Sequence, residues 1–209
     1  MKKKRMMTLA LLALLVPVVA AAQQAEQILG MNSTQQVDSS SGRTQNVLAF
    51  SFNPGFITSK VDTGYGVKSW VGGLGFAADY RCVFRSGFGF GLSYSHNQTN
   101  YDTGYRSSIP LKLDYVGPSF VMAGPVGGRW NARLSWGLGY AHYSDSYVKD
   151  DGIGYQCMGG MEYLFGSAMA FGIDITETLY SFPSPDTDYR NERNNFARLG
   201  VNVGLRIYL

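Results

Sequence analysis

The sequence predicts an all-β fold: an eight-stranded antiparallel up-and-down β-barrel that crosses a membrane, preceded by a signal peptide. Three observations predict it. Apolar residues recur at every second position in a series of separate segments, the connections between those segments alternate short and long, and the chain opens on an export signal. Composition agrees. The 209 residues include 26 glycines, 14% are aromatic and only 16% are charged. Disordered chains are poor in aromatics and rich in charge, whereas short, glycine-punctuated, aromatic-rich segments suit an all-β sandwich or barrel.

The export signal comes first. Lys2, Lys3, Lys4 and Arg5 precede an apolar run over 6–19, and Ala20-Ala21-Ala22 supplies the small residues of a cleavage site. The run is shorter than the roughly 20 residues of a transmembrane helix. The expected organisation is a signal peptide over 1–22, a polar periplasmic lead-in over 23–46 and a barrel over 47–209. The formal charge of +3 includes the four basic residues of the signal; without them 14 basic residues face 15 acidic ones. No basic stripe remains to suggest nucleic-acid binding.

Strands are expected at 47–58, 67–84, 87–98, 108–122, 129–143, 152–165, 168–181 and 195–209. The last is the clearest. Leu199, Val201, Val203, Leu205, Ile207 and Leu209 alternate with Arg198, Gly200, Asn202, Gly204, Arg206 and Tyr208, and a strand sends such alternate side chains to opposite faces. In 168–181 Met169, Phe171, Ile173, Ile175 and Leu179 share one face. In 129–143 Trp130, Leu134, Trp136, Leu138 and Tyr140 do so. Gly117-Pro118 in the fourth segment predicts a bulge, because proline cannot donate to the ladder. Short turns are expected at 85–87, 123–128 and 166–167, with longer polar loops at 59–66, 99–107, 144–151 and 182–194. Outer-membrane barrels have this alternation, with short turns in the periplasm, so both termini are expected there.

The two faces favour lipid over water outside the barrel. One is aliphatic and aromatic; the other is small or polar, as a narrow eight-stranded interior requires. Tyr80, Phe84, Phe88, Phe90, Tyr163 and Phe165 fall near the short-turn ends, with Tyr208 on the opposite face, and Trp70, Tyr94, Tyr140 and Tyr155 near the other end. Tyr and Trp favour both membrane interfaces. Cys82 and Cys157 fall on non-adjacent strands and face outward, so no disulfide is expected.

Nine charges are expected on the inner face: Asp79, Arg81, Lys112, Asp114, Arg133, Glu162, Asp174, Arg198 and Arg206. Buried charges need partners, so they are read as an ion-pair network closing the lumen rather than as a solute path. His96 and His142 are expected to face outward at the headgroup level. No catalytic residue, metal site or cofactor fingerprint is found.

The C-terminal pattern Asn202-x-Gly204-x-x-Ile207-x-Leu209 resembles the β-signal of outer-membrane proteins, whose usual last residue is Phe where this chain has Leu. The span 47–209 resembles the small eight-stranded barrels of the OmpA/OmpX class. That resemblance implies a monomer in contact with outer-membrane lipid and lipopolysaccharide, delivered by periplasmic chaperones and the barrel-assembly machinery. OmpA-type proteins continue into a peptidoglycan-binding domain; this chain stops at the eighth strand, and that activity is not expected. His142-x-Ser144 resembles the His-x-Ser of the lipid A deacylases, also eight-stranded barrels, but no Glu follows at a comparable distance. The expected function is a structural or surface-interaction barrel, for membrane integrity or adhesion. The alternatives are a lipid-modifying enzyme and a weak small-solute porin.

Overall fold

The computed structural model describes residues 44–59, 61–62, 67–68, 71–102, 108–146, 148–182 and 195–209. The expected signal peptide, almost all of the lead-in and Trp70 lie outside the described residues. Eleven strand segments follow in order: β1 (Gln45–Phe52), β2 (Gly55–Ile57), β3 (Val61–Asp62), β4 (Val67–Lys68), β5 (Val71–Val83), β6 (Phe88–Asp102), β7 (Ser108–Gly127), β8 (Trp130–Ser144), β9 (Lys149–Leu164), β10 (Met169–Ser181) and β11 (Asn195–Tyr208).

β1 and β2 form one stave. Both pair with β5 on one side and β11 on the other, and only Asn53-Pro54 interrupts them. With β5 to β11, each antiparallel to its neighbours, they close an eight-stave barrel; β3 and β4 form a separate small ribbon. Closure leaves no sheet edge, the condition lipid imposes on a β structure. The first stave begins at Gln45, two residues before the expected boundary.

The short turns are the expected ones in number. Gly87, at φ 80°, closes the first and Gly128, at φ 57°, the second, backbone conformations that glycine adopts without cost. β7 runs on to Gly127, beyond its expected end at 122. The bulge expected at Gly117-Pro118 is not there. Val116 pairs with Tyr140 and Ser119 with Gly137, one unbroken register, and the shift falls instead between Pro125 and Gly127. Pro118 also keeps its place opposite Leu92 of β6. A lost donor thus removes pairing locally without adding a residue, whereas the turn beside Gly127 must absorb one.

Register fixes the barrel's geometry. Hydrogen-bonded partners traced from Ala132 of β8 pass through Met161, Ile173, Val203, Phe52, Phe76, His96 and Asp114. They return to β8 at His142, ten residues beyond the start. A stagger of that size over eight staves tilts each by about 40° from the axis. The row therefore climbs as it circles. It is apolar from Ala132 to Phe76 and turns polar at His96.

The outer face is apolar over most of its height. Phe50, Phe76, Phe90, Leu92, Leu138, Ile153, Ile173, Ile175 and Leu205 are all exposed. Around the short-turn end Tyr80, Phe84, Phe88, Phe90, Trp130, Tyr163 and Phe165 form an exposed aromatic girdle. Cys82 and Cys157 are free thiols on this face, on β5 and β9.

Candidate functional site

Toward the short turns the lumen holds a compact ion-pair network. Asp174 of β10 is its hub. Arg133 of β8 donates to it through Nε at 2.8 Å and Nη2 at 2.6 Å, and Arg206 of β11 donates through Nη2 at 2.6 Å. Arg133 also reaches Asp79 of β5 through Nη1 at 2.9 Å. Arg81 of β5 grips both oxygens of Glu162 on β9, at 2.8 and 2.6 Å. β5 and β9 are four staves apart in either direction round the barrel, so this pair meets across its full width. Tyr208, the inward aromatic of the last strand, donates to Glu162 at 2.6 Å. All six network charges are buried, Arg206 completely. Three cations meet three anions here, and the paired arrangement offsets a desolvation cost of several kcal/mol per ion.

Arg198 is the seventh lumen charge and stands apart. Its partners are Asn53 Oδ1 at 2.9 Å and the Asn53 carbonyl at 2.8 Å. This buried asparagine keeps the inward phase that Ser51, Gly55 and Ile57 share along the first stave. Among the described residues no carboxylate forms an ion pair with Arg198.

Above Arg198 the lumen is apolar. Ile57, Leu111, Leu113, Tyr115, Ala141, Tyr180 and Phe182 form one buried cluster, with Tyr143 and Phe196 packed against it. The rings interlock: Tyr143 lies parallel to Phe196 at 5.4 Å, and Phe182 meets Phe196 edge-on at 5.9 Å. Tyr115 lies across glycines of its own and neighbouring staves. A Cβ at Gly137 would stand 2.5 Å from its hydroxyl, and one at Gly154 would stand 2.5 Å from its ring. The glycine-rich inner face makes room for this side chain.

Lys112 and Asp114 are the correction. Both were expected in the lumen, yet Lys112 is exposed and Asp114 half-buried on the outer face. On β7 it is Leu111, Leu113 and Tyr115 that face inward. The reason is position along the strand. Near the loop end the barrel's outside meets headgroups and water rather than hydrocarbon, so charge is favoured outside and apolar side chains fill the interior.

These two residues belong to an outer grid that register builds from three staves. Asp114, His142 and Asp151 are successive partners on β7, β8 and β9; one step nearer the loops, Lys112, Ser144 and Lys149 are successive partners. His142 donates through Nδ1 to Asp151 at 2.7 Å, and Tyr140 hydrogen-bonds the same carboxylate oxygen. His96 of β6 donates through Nδ1 to Asp114 at 2.7 Å, with Tyr94 donating at 3.3 Å. Both histidines face outward. The acid beside His142 is Asp151, an expected loop residue that β9 extends far enough to include. Alternation along each strand was the available signal for its face; the pairing was not legible. Among the described residues no group of three His, Cys, Asp or Glu is arranged to hold a metal ion.

Glu177 is a residue that sequence reading passed over. It lies on the outward phase of β10, opposite Cys157 and Leu199, and is half-buried.

The C-terminal pattern lies on β11. Asn202 is buried and donates to Thr176 at 2.8 Å. At Gly204 a Cβ would stand 1.9 Å from the Phe50 carbonyl, so close backbone approach to β1 demands glycine. Ile207 is half-buried on the outward phase. Leu209 is exposed, and its N–H bonds the Asn46 carbonyl at 2.8 Å.

Similar folds are known. Neisserial surface protein A (NspA) superposes with a TM-score of 0.57 at 13% identity, covering 78% of this chain and 96% of that one. Ail of Yersinia pestis gives 0.48 at 11% identity over 78% of this chain and 99% of that one. OprG of Pseudomonas aeruginosa gives 0.47 at 11% identity over 81% and 98%. At 13% identity the likeness to NspA is one of fold. No curated protein is similar to the chain in sequence. The family model described as outer membrane protein beta-barrel domain matches residues 8–206. A closed barrel with an apolar outer face, together with that match over nearly the whole chain, makes this protein a member of the outer membrane protein beta-barrel domain family, found in the bacterial outer membrane.

Proposed function

We propose that the protein is a structural or surface-interaction barrel, serving membrane integrity or adhesion, whose lumen is closed by its own side chains. The observation that carries this reading is the Arg81–Glu162 pair, which joins staves on opposite sides of the barrel. The aromatic cluster above it supports the same reading, since a conducting path would need both to part. In planar bilayers the purified protein is expected to give no stable channel. Large, sustained single-channel steps would reject the closed lumen and favour the small-solute porin.

The start of the first stave, the end of the last and the short turns share one end of the barrel, with Leu209 bonded to Asn46. Short turns on the periplasmic side support both termini facing the periplasm, after removal of a signal peptide over 1–22. The same reading has Asn202, Gly204, Ile207 and Leu209 engaging the barrel-assembly machinery after delivery by periplasmic chaperones, and the barrel standing as a monomer among lipid and lipopolysaccharide.

One observation favours a second reading, lipid modification. His142 is oriented by Asp151 and stands two positions from Ser144 on the same outward face, the elements of a nucleophile, a base and an orienting acid. Mass spectrometry of lipid A from cells with and without the protein tests it. Identical acyl patterns would remove it.

A further inference from the structure

We infer that the outer grid on β7, β8 and β9 is a binding site for the phosphate monoester of an outer-leaflet lipid headgroup, held by Lys112, Ser144 and Lys149. The inference rests on the reading that the loop end faces outward from the cell.

Register brings the three residues side by side. Lys112, Ser144 and Lys149 are consecutive cross-strand partners on the outer face. Adjacent strands lie about 4.8 Å apart, which puts the two lysine backbones roughly 10 Å apart with a hydroxyl midway. Two flexible ammonium arms can converge over that hydroxyl. A phosphate monoester has enough acceptor oxygens to take a charge-assisted bond from each arm and a third bond from Ser144.

The neighbouring carboxylates are engaged elsewhere. Asp114 and Asp151 stand next to the lysines along their own strands and could have neutralised them. Instead Asp114 is held by His96 and Tyr94, and Asp151 by His142 and Tyr140. Among the described residues neither Lys112 nor Lys149 forms an ion pair, and both are exposed. The histidine–aspartate and tyrosine–aspartate contacts thus leave two ammonium groups available at one place.

The surface beneath the lysines is apolar. Along the same three outward stripes lie Val116, Leu138, Tyr140, Ile153 and Tyr155, all exposed. A headgroup seated on the lysines has its acyl chains beside this apolar face. A soluble phosphate gains nothing from it, and that selects a lipid as the occupant.

The test uses the full barrel in phosphatidylcholine nanodiscs doped with bisphosphorylated lipid A or with the same lipid after phosphatase treatment. Native mass spectrometry counts the lipid retained on release. Wild type is expected to retain the phosphorylated lipid about tenfold better, and K112Q/K149Q is expected to lose that preference. R85Q, at the opposite end of the barrel, serves as a control for general charge and is expected to behave as wild type. All three positions are exposed, and heat-modifiable gel mobility confirms folding of each variant. Equal retention of both lipids by wild type, or an unchanged preference in K112Q/K149Q, would overturn the inference. So would displacement of the lipid by an equal concentration of inorganic phosphate. Loss of a fatty acid from the bound lipid would replace the binding site with the hydrolytic reading. Single-channel activity in bilayers would reject the closed lumen while leaving lipid retention unaffected, so the two proposals fail separately.

Discussion

The two halves of the lumen are filled by opposite chemistries on the same staves. Toward the short turns three arginines and three carboxylates interlock, with Asp174 shared by two of the arginines. Toward the loops the same eight staves enclose leucine, isoleucine and interlocked rings. Burial alone does not distinguish the halves. What differs is directionality. The ionic half depends on a few groups, each with several partners, so removing one strands the others. The apolar half depends on many weak contacts and adjusts when one is lost. Arg198, bonded to Asn53 rather than to a carboxylate, marks the boundary.

The contrast can be broken by substitution. Asp174→Ala removes the acceptor of both Arg133 and Arg206, and is expected to cost about 3–5 kcal/mol, the penalty for leaving a buried charge uncompensated. Urea unfolding in micelles, followed by gel mobility, measures it. Leu113→Ala in the apolar half is expected to cost less, about 2–3 kcal/mol, because the partly buried rings of Tyr143 and Phe196 can settle into the space. If the leucine variant proves the weaker of the two, the halves are not energetically distinct in the way their chemistry implies. The smallest effect is expected from Tyr115→Phe. Among the described residues the buried Tyr115 hydroxyl has no hydrogen-bond partner, so its removal should change stability by no more than about 1 kcal/mol, in either direction. A large loss there would mean that the hydroxyl is bonded through a water.

What the sequence made legible follows the same division. β10 and β11 alternate over most of their length, with Glu177 as the break in β10 and Phe196 turned inward in β11, and their spans match expectation to within a residue. Seven of the nine anticipated lumen charges are buried inside for the same reason: a charged side chain between apolar or aromatic neighbours on a lipid-facing strand has only the interior to occupy. That rule inverts where β7 leaves the hydrocarbon, and there it misplaced Lys112 and Asp114. The apolar cluster went unseen with them, because Leu111 and Leu113 look like lipid-facing residues when read from one strand alone. The outer grid was out of reach for a different reason. Asp114, His142 and Asp151 are far apart in the sequence, and only the pairing register of three staves brings them together.

Closure of the barrel through β1 and β11 bears on how the chain can enter a membrane at all. The partners it joins are distant: Arg206 donates to Ser51 across 155 positions of sequence. Until that seam forms, β1 and β11 each carry a row of unsatisfied amides and carbonyls, which hydrocarbon does not tolerate. Insertion strand by strand from the N-terminal side would leave such an edge exposed at every stage. The seam thus sets an order of events in which the final stave must be present, and presented to the first, before the others can settle into lipid. A substitution that weakens only this seam, such as one at Gly204, would act on biogenesis well before it altered the finished barrel.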